Sequence, residues 1–305
     1  MEKKGIAIAC RMDSERAIKL AKRIFEFLIK KGEVVYPETR IAPKILPHSG
    51  KDLKEMSSND IKFLISIGGD GTLLRVANGL PQNDPYEPPP IFGVNIGSIG
   101  FLDESNERVV FKDLIPLLNG EYNIEKCSKI TPYIVKENDE IKLNNALNEI
   151  LIVSSKHSKV LQVSVRVNGV FLNRSYLDGV IISTSTGSTA YNLSAGGSII
   201  TPNTEIMQIT PLNSFARSGL RPMVLPIESE IEIELLRPRL NAKIVVDGQQ
   251  IIKNIQPNSL IRIRKANSET HLIRLSKNLY ENYFKRIRKK IIGTVRVPLD
   301  DSPEE

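Results

Sequence analysis

Phe63-Leu64-Ile65-Ser66-Ile67-Gly68-Gly69-Asp70-Gly71-Thr72-Leu73-Leu74, residues 63–74, is the stretch from which the architecture reads. Its first half is a nearly continuous apolar run, the pattern of a strand buried on both faces of a parallel sheet. Glycines interrupt the run just where a helix would begin. In open α/β sheets, ligands bind beyond the carboxyl ends of strands. Glycines there let the backbone approach a phosphate and adopt positive φ, and the next helix offers an anion its free N–H groups. Asp70 is out of place in a cradle built only for anions. It needs another task, such as holding a divalent cation or accepting a hydroxyl proton. The plainer alternative is a tight turn in which Asp70 merely caps the helix.

Around this stretch, strands alternate with helices. Gly5–Cys10 reads as a strand, and Ala17, Ile18, Ala21, Ile24, Phe25, Leu28 and Ile29 mark an amphipathic helix ending near Gly32. Val34–Tyr36 is a short strand candidate, and Ile91–Val94 follows a Pro-rich loop from Pro81 to Pro90. The expectation is an α/β layer with a parallel sheet.

From about residue 130 the period changes to two. Leu161, Val163, Val165 and Val167 alternate with polar residues, and Asn168-Gly169 supplies a hairpin turn. Ile231, Ile233 and Leu235 repeat the pattern, and Leu260–Ile263 and Leu272–Leu275 add strands. This half is expected to be mostly β, two packed sheets in a β-sandwich. Leu279, Tyr283, Ile287 and Ile291 then space a helix over about 278–292, which returns to the first domain. The domains expected are therefore 1–110 with 278–293 as the α/β part, 111–277 as the β-sandwich, and 294–305 as an acidic, frayed tail.

Length favours two domains: 305 residues exceed one average domain. Cys10 and Cys127 lack a metal-site or redox spacing and read as ordinary intracellular thiols. No apolar run reaches the roughly 18 residues of a membrane span, and no signal peptide opens the chain. The Asn-x-Ser matches at Asn173 and Asn192 thus lack a secretory context, and a cytoplasmic location is expected. The net charge of +7 suits a phosphorylated small molecule, a nucleic acid or an anionic surface. Its one cluster, Lys285, Arg286, Arg288, Lys289 and Lys290, reads as the solvated face of the last helix. No nucleic-acid signature accompanies it, so neither nucleic acid nor membrane is expected as a partner. His48, His157 and His271 have no convincing partner for catalysis.

Neither the P-loop nor the dinucleotide glycine fingerprint is present, and the protein-kinase set is absent. Four further features carry polar chemistry. Asn95-Ile96-Gly97-Ser98-Ile99-Gly100-Phe101 is a second glycine turn, able to share one crevice with the first. Asp178-Gly179 opens an apolar strand that runs into Ser185-Thr186-Gly187-Ser188-Thr189-Ala190-Tyr191-Asn192-Leu193-Ser194, dense in hydroxyls and small side chains. Tyr191 could offer its ring to a base. Asn148-Glu149 precede a strand, and Val246-Asp247-Gly248-Gln249 ends another.

Taken in order, these features resemble the NAD kinase family over nearly the whole chain. Gly-Gly-Asp-Gly alone is shared with 6-phosphofructokinases and with diacylglycerol- and sphingosine-type lipid kinases; the Asp178 to Tyr191 segment is far more particular. The resemblance implies transfer of the terminal phosphate of ATP, or of inorganic polyphosphate, to the 2′-hydroxyl of the adenosine ribose of NAD, giving NADP. Asp70 would accept the proton. Gly68, Gly69, Gly71 and Thr72 would line the turn, Arg75 would lie near phosphate, and Phe101 beside the site. Asn148 and Glu149 would hold the adenosine part. Asp178, Thr186 and the run Thr189, Ala190, Tyr191, Asn192, Leu193 and Ser194 would grip the rest of NAD, with Asn213 and Gln249 added. Mg²⁺ would come with the donor, no protein metal site is implied, and the site would be shared within a homodimer or homotetramer. Tyr176 departs from a commonly basic position, for which Lys159 could compensate, and Ser185 replaces a common proline. The alternatives are a lipid kinase or a non-catalytic dinucleotide sensor.

Overall fold

The computed structural model describes residues 4–45, 50–82, 87–97, 100–136, 139–156, 159–214, 219–236, 241–276 and 278–293. The expected acidic tail 294–305, Ser98 and Ile99 of the second glycine turn, and His48 and His157 lie outside the described residues.

The first half forms a parallel sheet. Strand Ile61–Gly68 lies between Gly5–Cys10 and Ile91–Asn95, parallel to both, and Val35–Pro37 flanks Gly5–Cys10. All six residues of Gly5–Cys10 are buried, as a central strand covered on both faces requires. One face packs the helix Glu15–Lys30 and the helix Val110–Leu118 over Ile8, Phe63, Ile65 and Val94. The other face packs the helix Asp70–Gly79 through Leu73, Leu74, Val76 and Ala77. Ser14 caps the first helix, its hydroxyl accepting from the Ala17 N–H. Cys10 and Cys127 are buried free thiols. Burial pushes them up to about 11 and about 12, which suits a structural role.

The second half is the expected mostly-β unit. Strands Met223–Pro226, Ile206–Leu212, Gly179–Thr184, Glu149–Ser154, Ala242–Val246 and Gln250–Ile255 form an antiparallel sheet in that order. It faces Leu161–Val167, Val170–Leu177, Ile231–Leu235 and the long strand Leu260–Arg274. One core joins the layers: Ile150, Ile152, Val180, Ile182 and Ile244 from the first sheet, Val163, Val165, Ile231, Ile233, Ile261 and Ile263 from the second. Asn168 (φ 50) and Gly169 (φ 76) form the two-residue hairpin turn, both in the left-handed region such a turn demands.

The halves are not separate sheets. Leu260–Arg274 pairs antiparallel with Ile231–Leu235 at its start, and Leu272 pairs parallel with Ile91 near its end. Sequence period alone places a boundary where hydrogen bonding runs straight through. The chain then returns to the first half as a helix, Leu279–Ile287. At this return Arg274 is buried, its Nε donating to Glu125 at 2.6 Å and its Nη1 to the Leu102 carbonyl at 2.8 Å.

Removing one partner of a buried ion pair strands the other, at a cost of about 3–5 kcal/mol. Arg274→Met, which keeps the side-chain length and loses the charge, is expected to lower stability in urea unfolding by about that amount. A loss under about 1 kcal/mol would mean that Glu125, and Glu104 at 3.4 Å from the Arg274 Nη1, find other donors.

Candidate functional site

Strand Ile61–Gly68 ends in register with Ile91–Asn95, Gly68 opposite Asn95, so both glycine turns stand side by side. They line one groove, joined by Arg11, Arg16 and Lys290. A second opening of the same turn is walled by Arg40, Thr72 and Arg75. The glycines act differently from expectation. None of Gly68, Gly69 and Gly71 has positive φ, and Gly69 is extended (φ −160). Gly68 is required because a Cβ there would collide with Thr72, while Gly71 faces open space.

Asp70 opens the Asp70–Gly79 helix, where a carboxylate complements the helix dipole. Its Oδ2 accepts from the Phe101 N–H at 2.9 Å and its Oδ1 from the Leu102 N–H at 3.0 Å. Each carboxylate oxygen has a second lone pair, so the anchored group can still accept from a ligand. The side chain is half-buried and borders both openings of the groove. Behind it lies Asp103, which the motif reading missed. Asp103 accepts from the Asn95 Nδ2 at 2.7 Å, and burial, then the charge of Asp70, push it up to about 6.

Asn148 and Glu149 are held by a third carboxylate. Asp247 accepts from the N–H groups of Leu147 (2.9 Å), Asn148 (2.7 Å) and Glu149 (3.1 Å), and from the Asn78 Nδ2 (2.9 Å). Asn78 sits on the helix that starts at Asp70, so this contact joins the two halves at the site. Gln249 adds a second joint, its Nε2 donating to the Gly71 carbonyl at 2.9 Å. Gly187 packs where a Cβ would strike the Asn148 backbone, which brings the hydroxyl-rich turn against the same pair. Asn148 Oδ1 and Glu149 Oε2 are buried without a protein partner. Such atoms are costly unless a ligand or water meets them. Burial, then Asp247, push Glu149 up to about 7, and the Tyr191 N–H faces it.

The hydroxyl-rich segment folds as a short 3₁₀ turn, Thr186–Thr189, followed by one helical turn, Tyr191–Ser194. Thr186 and Thr189 line a cavity with Phe101. Tyr191 and Ser194 are exposed, and Ala190 and Leu193 are half-buried. Asn192 points inward, its Oδ1 accepting from the Thr210 hydroxyl at 2.6 Å, so it braces the turn. Two expected contact residues are engaged with protein partners. The Arg75 guanidinium forms a bidentate pair with Glu38 at 2.6 and 2.8 Å. Asp178 accepts from the Asn213 Nδ2 at 2.9 Å. That pair lies at the opposite end of strand Gly179–Thr184 from the turn, about 20 Å away at ~3.3 Å per residue.

Comparison with known proteins gives a consistent picture. Residues 6–122 match the ATP-NAD kinase N-terminal domain, and residues 147–275 the ATP-NAD kinase C-terminal domain. The chain is 36% identical over 283 residues to an NAD kinase of Thermococcus gammatolerans, covering 93% of this chain and 98% of that protein. It is 34% identical over 289 residues to an NAD kinase of Methanothermobacter thermautotrophicus, covering 94% and 96%. Among solved structures, an NAD kinase from Archaeoglobus fulgidus in complex with ATP aligns with TM-score 0.72 and 28% identity, covering 93% of this chain and 98% of that one. Yeast NADH kinase complexed with NADH aligns with TM-score 0.81, covering 96% and 89%; at 21% identity this likeness speaks for the fold.

Glu149 favours its proton in the folded state, so its contribution to stability is present below its ordinary value of 4.5 and lost as pH rises through about 7. Glu149→Gln is therefore expected to gain stability relative to the parent between pH 5 and 8, by on the order of 2–3 kcal/mol without ligand. Urea titrations across that range measure it. A difference that stays constant with pH would show that this carboxyl is not the titrating group.

Proposed function

The chain belongs to the ATP-NAD kinase family, and on that premise we propose which of its groups perform the phosphorylation of NAD. The reaction moves the terminal phosphoryl group of ATP to the 2′-hydroxyl of the adenosine ribose of NAD, giving NADP. Phosphoryl transfer needs little covalent chemistry from protein, and positioning with charge neutralisation carries most of the catalysis.

Asp70 accepts the ribose proton. The observation that carries this reading is its fixed carboxylate at the groove wall, anchored by two backbone N–H groups with lone pairs to spare. Asn148 and Glu149 hold the adenosine part, supported by their buried, unpartnered oxygens. Thr186, Thr189, Ala190 and Tyr191 complete that wall, Leu193 and Ser194 extend it, and Asn192 keeps the turn in shape. Gln249 and Phe101 border Asp70 from the two halves. Gly68, Gly69, Gly71 and Thr72 form the donor's turn.

The groove beside Asp70 carries Arg11, Arg16 and Lys290 on one side and Arg40 on the other. A chain of phosphates suits such a groove, whether it belongs to ATP or to polyphosphate. Arg75 serves phosphate at one remove, by keeping the Glu38 carboxylate neutralised beside it. Among the described residues no group of three or more His, Cys, Asp or Glu side chains could hold a metal. Mg²⁺ would enter with the donor substrate, bound to its phosphates.

Asp178 and Asn213 are too far along their strand to serve the turn of their own chain. Their distance supports a homodimer or homotetramer in which they complete a neighbour's site. No helix among the described residues is long and apolar enough to cross a membrane. In this division of labour, 1–110 with 278–293 carries the donor turn and 111–277 the dinucleotide. Neither the lipid-kinase nor the sensor alternative has an observation in its favour.

General-base assistance contributes typically 10²–10⁴-fold. Asp70→Asn should lower kcat by about that factor in a coupled NADP assay, while calorimetry finds NAD binding within about threefold of the parent. Near-normal turnover would remove Asp70 from the proton transfer.

A further inference from the structure

The two N–H groups that hold Asp70 belong to a segment gripped from behind. Arg286 Nη1 donates to the Phe101 carbonyl at 2.7 Å, and Arg274 Nη1 to the Leu102 carbonyl at 2.8 Å. The Phe101 carbonyl and the Leu102 N–H are opposite ends of one planar amide. That N–H donates to Asp70 Oδ1 at 3.0 Å. A single peptide group thus joins a guanidinium on the last helix to the catalytic carboxylate. Turning the amide plane breaks both hydrogen bonds at once. A positive charge at its carbonyl also polarises it, which strengthens the N–H as a donor.

We propose that Arg286 is the positioning residue for Asp70, fixing and polarising the Phe101–Leu102 amide so that the carboxylate meets the ribose hydroxyl in one orientation. The proposal rests on Asp70 being the proton acceptor.

Three observations separate this role from simple helix docking. First, Arg286 is unlike its neighbours in the basic cluster: its side chain is 13% exposed, against 61% for Lys285. The cluster as a whole is a solvated face, and this member is turned inward. Second, its position is an expensive one. Burial and the adjacent Arg274 push its proton affinity below the ordinary guanidinium value, and the two arginines share the Glu104 carboxylate at 3.4 and 3.3 Å. Third, docking is already supplied by Tyr283, whose hydroxyl donates to the Ile200 carbonyl at 2.7 Å and whose ring lies 6.3 Å from that of Phe101. A buried second arginine adds nothing to docking that an apolar side chain could not. What it adds is a donor to the Phe101 carbonyl and a share of the Glu104 carboxylate.

The test compares Arg286→Met, Arg286→Lys and Tyr283→Phe in the full chain, with kcat, KM for NAD and thermal unfolding measured for each. Arg286→Met should lower kcat about 10- to 100-fold with KM within about threefold. Arg286→Lys should recover part of the loss, since its ammonium keeps the charge but reaches the Phe101 carbonyl less well. Tyr283→Phe, which loosens docking and spares the amide, should leave kcat within about twofold. If Arg286→Met fails to fold, the comparison rests on Arg286→Lys, and a kcat equal to the parent's in that variant would overturn the proposal. The decisive measurement is a double-mutant cycle with Asp70→Asn. An effect acting through Asp70 should vanish in that background. Independent, multiplying losses would overturn the proposal while leaving Asp70 as base. Normal turnover of Asp70→Asn alone would instead sink the reading of Asp70 itself. An equal loss in Tyr283→Phe would reduce Arg286 to a docking residue and also overturn it.

Discussion

Asp247 is a buried carboxylate whose two oxygens collect three consecutive backbone N–H groups of one half and a side-chain amide of the other. Burying an anion is costly unless donors replace its water. Burial does push Asp247 upward, and each of these four hydrogen bonds pulls it back. The consequence is geometric. The backbone of Leu147, Asn148 and Glu149 is locked in place, and Asn78 ties it to the helix that begins at Asp70. The spacing between the Asn148–Glu149 pair and Asp70 is thereby set by one buried side chain. The left-handed φ of Asp247 (50) and Gly248 (66) then turns the chain so that Gln249 reaches Gly71.

The opposite side of the site is built by the chain's return. Strand Leu260–Arg274 spans both halves, so its end delivers Arg274 beneath the second glycine turn. The last helix lies over that turn: Arg286 meets the Phe101 backbone and Lys290 its ring at 5.2 Å. Asp70 therefore receives its N–H partners from a loop of the first half, held from behind by groups near the C-terminus. Segments near residues 101 and 286, far apart in the chain, thus converge on one carboxylate. For the proposed role of Asp70 as base such rigidity matters, because transfer between two bound substrates depends on orientation more than on intrinsic basicity.

Some of this was legible residue by residue. The apolar run before Gly68 could only be a strand with both faces covered. Asn168-Gly169 selects its turn by local sterics, and the Asp178 to Tyr191 segment carried the family resemblance. Of the two reasons the sequence offers for glycine in the first turn, close backbone approach and positive φ, the second does not hold, and the room that Gly68 leaves for Thr72 has no local signal. Asp103 had no motif to mark it, and Asp247 looked like an ordinary strand terminus. The partners of Asp247 lie 98 to 169 positions away along the chain, beyond any local pattern. Arg286 was hidden inside a run of like charges, and only packing separated it from them.

The sequence by itself determined the strand and helix periods, the strand-end position of Asp70 and the order of polar motifs. Those follow from side-chain periodicity and backbone sterics, which act over a few residues. The tertiary structure alone decided that one sheet crosses both halves, which carboxylates are buried together, and which arginine reaches a carbonyl. These depend on desolvation and on contacts between segments far apart in the chain, where energy is set by what surrounds a group and not by its neighbours in sequence.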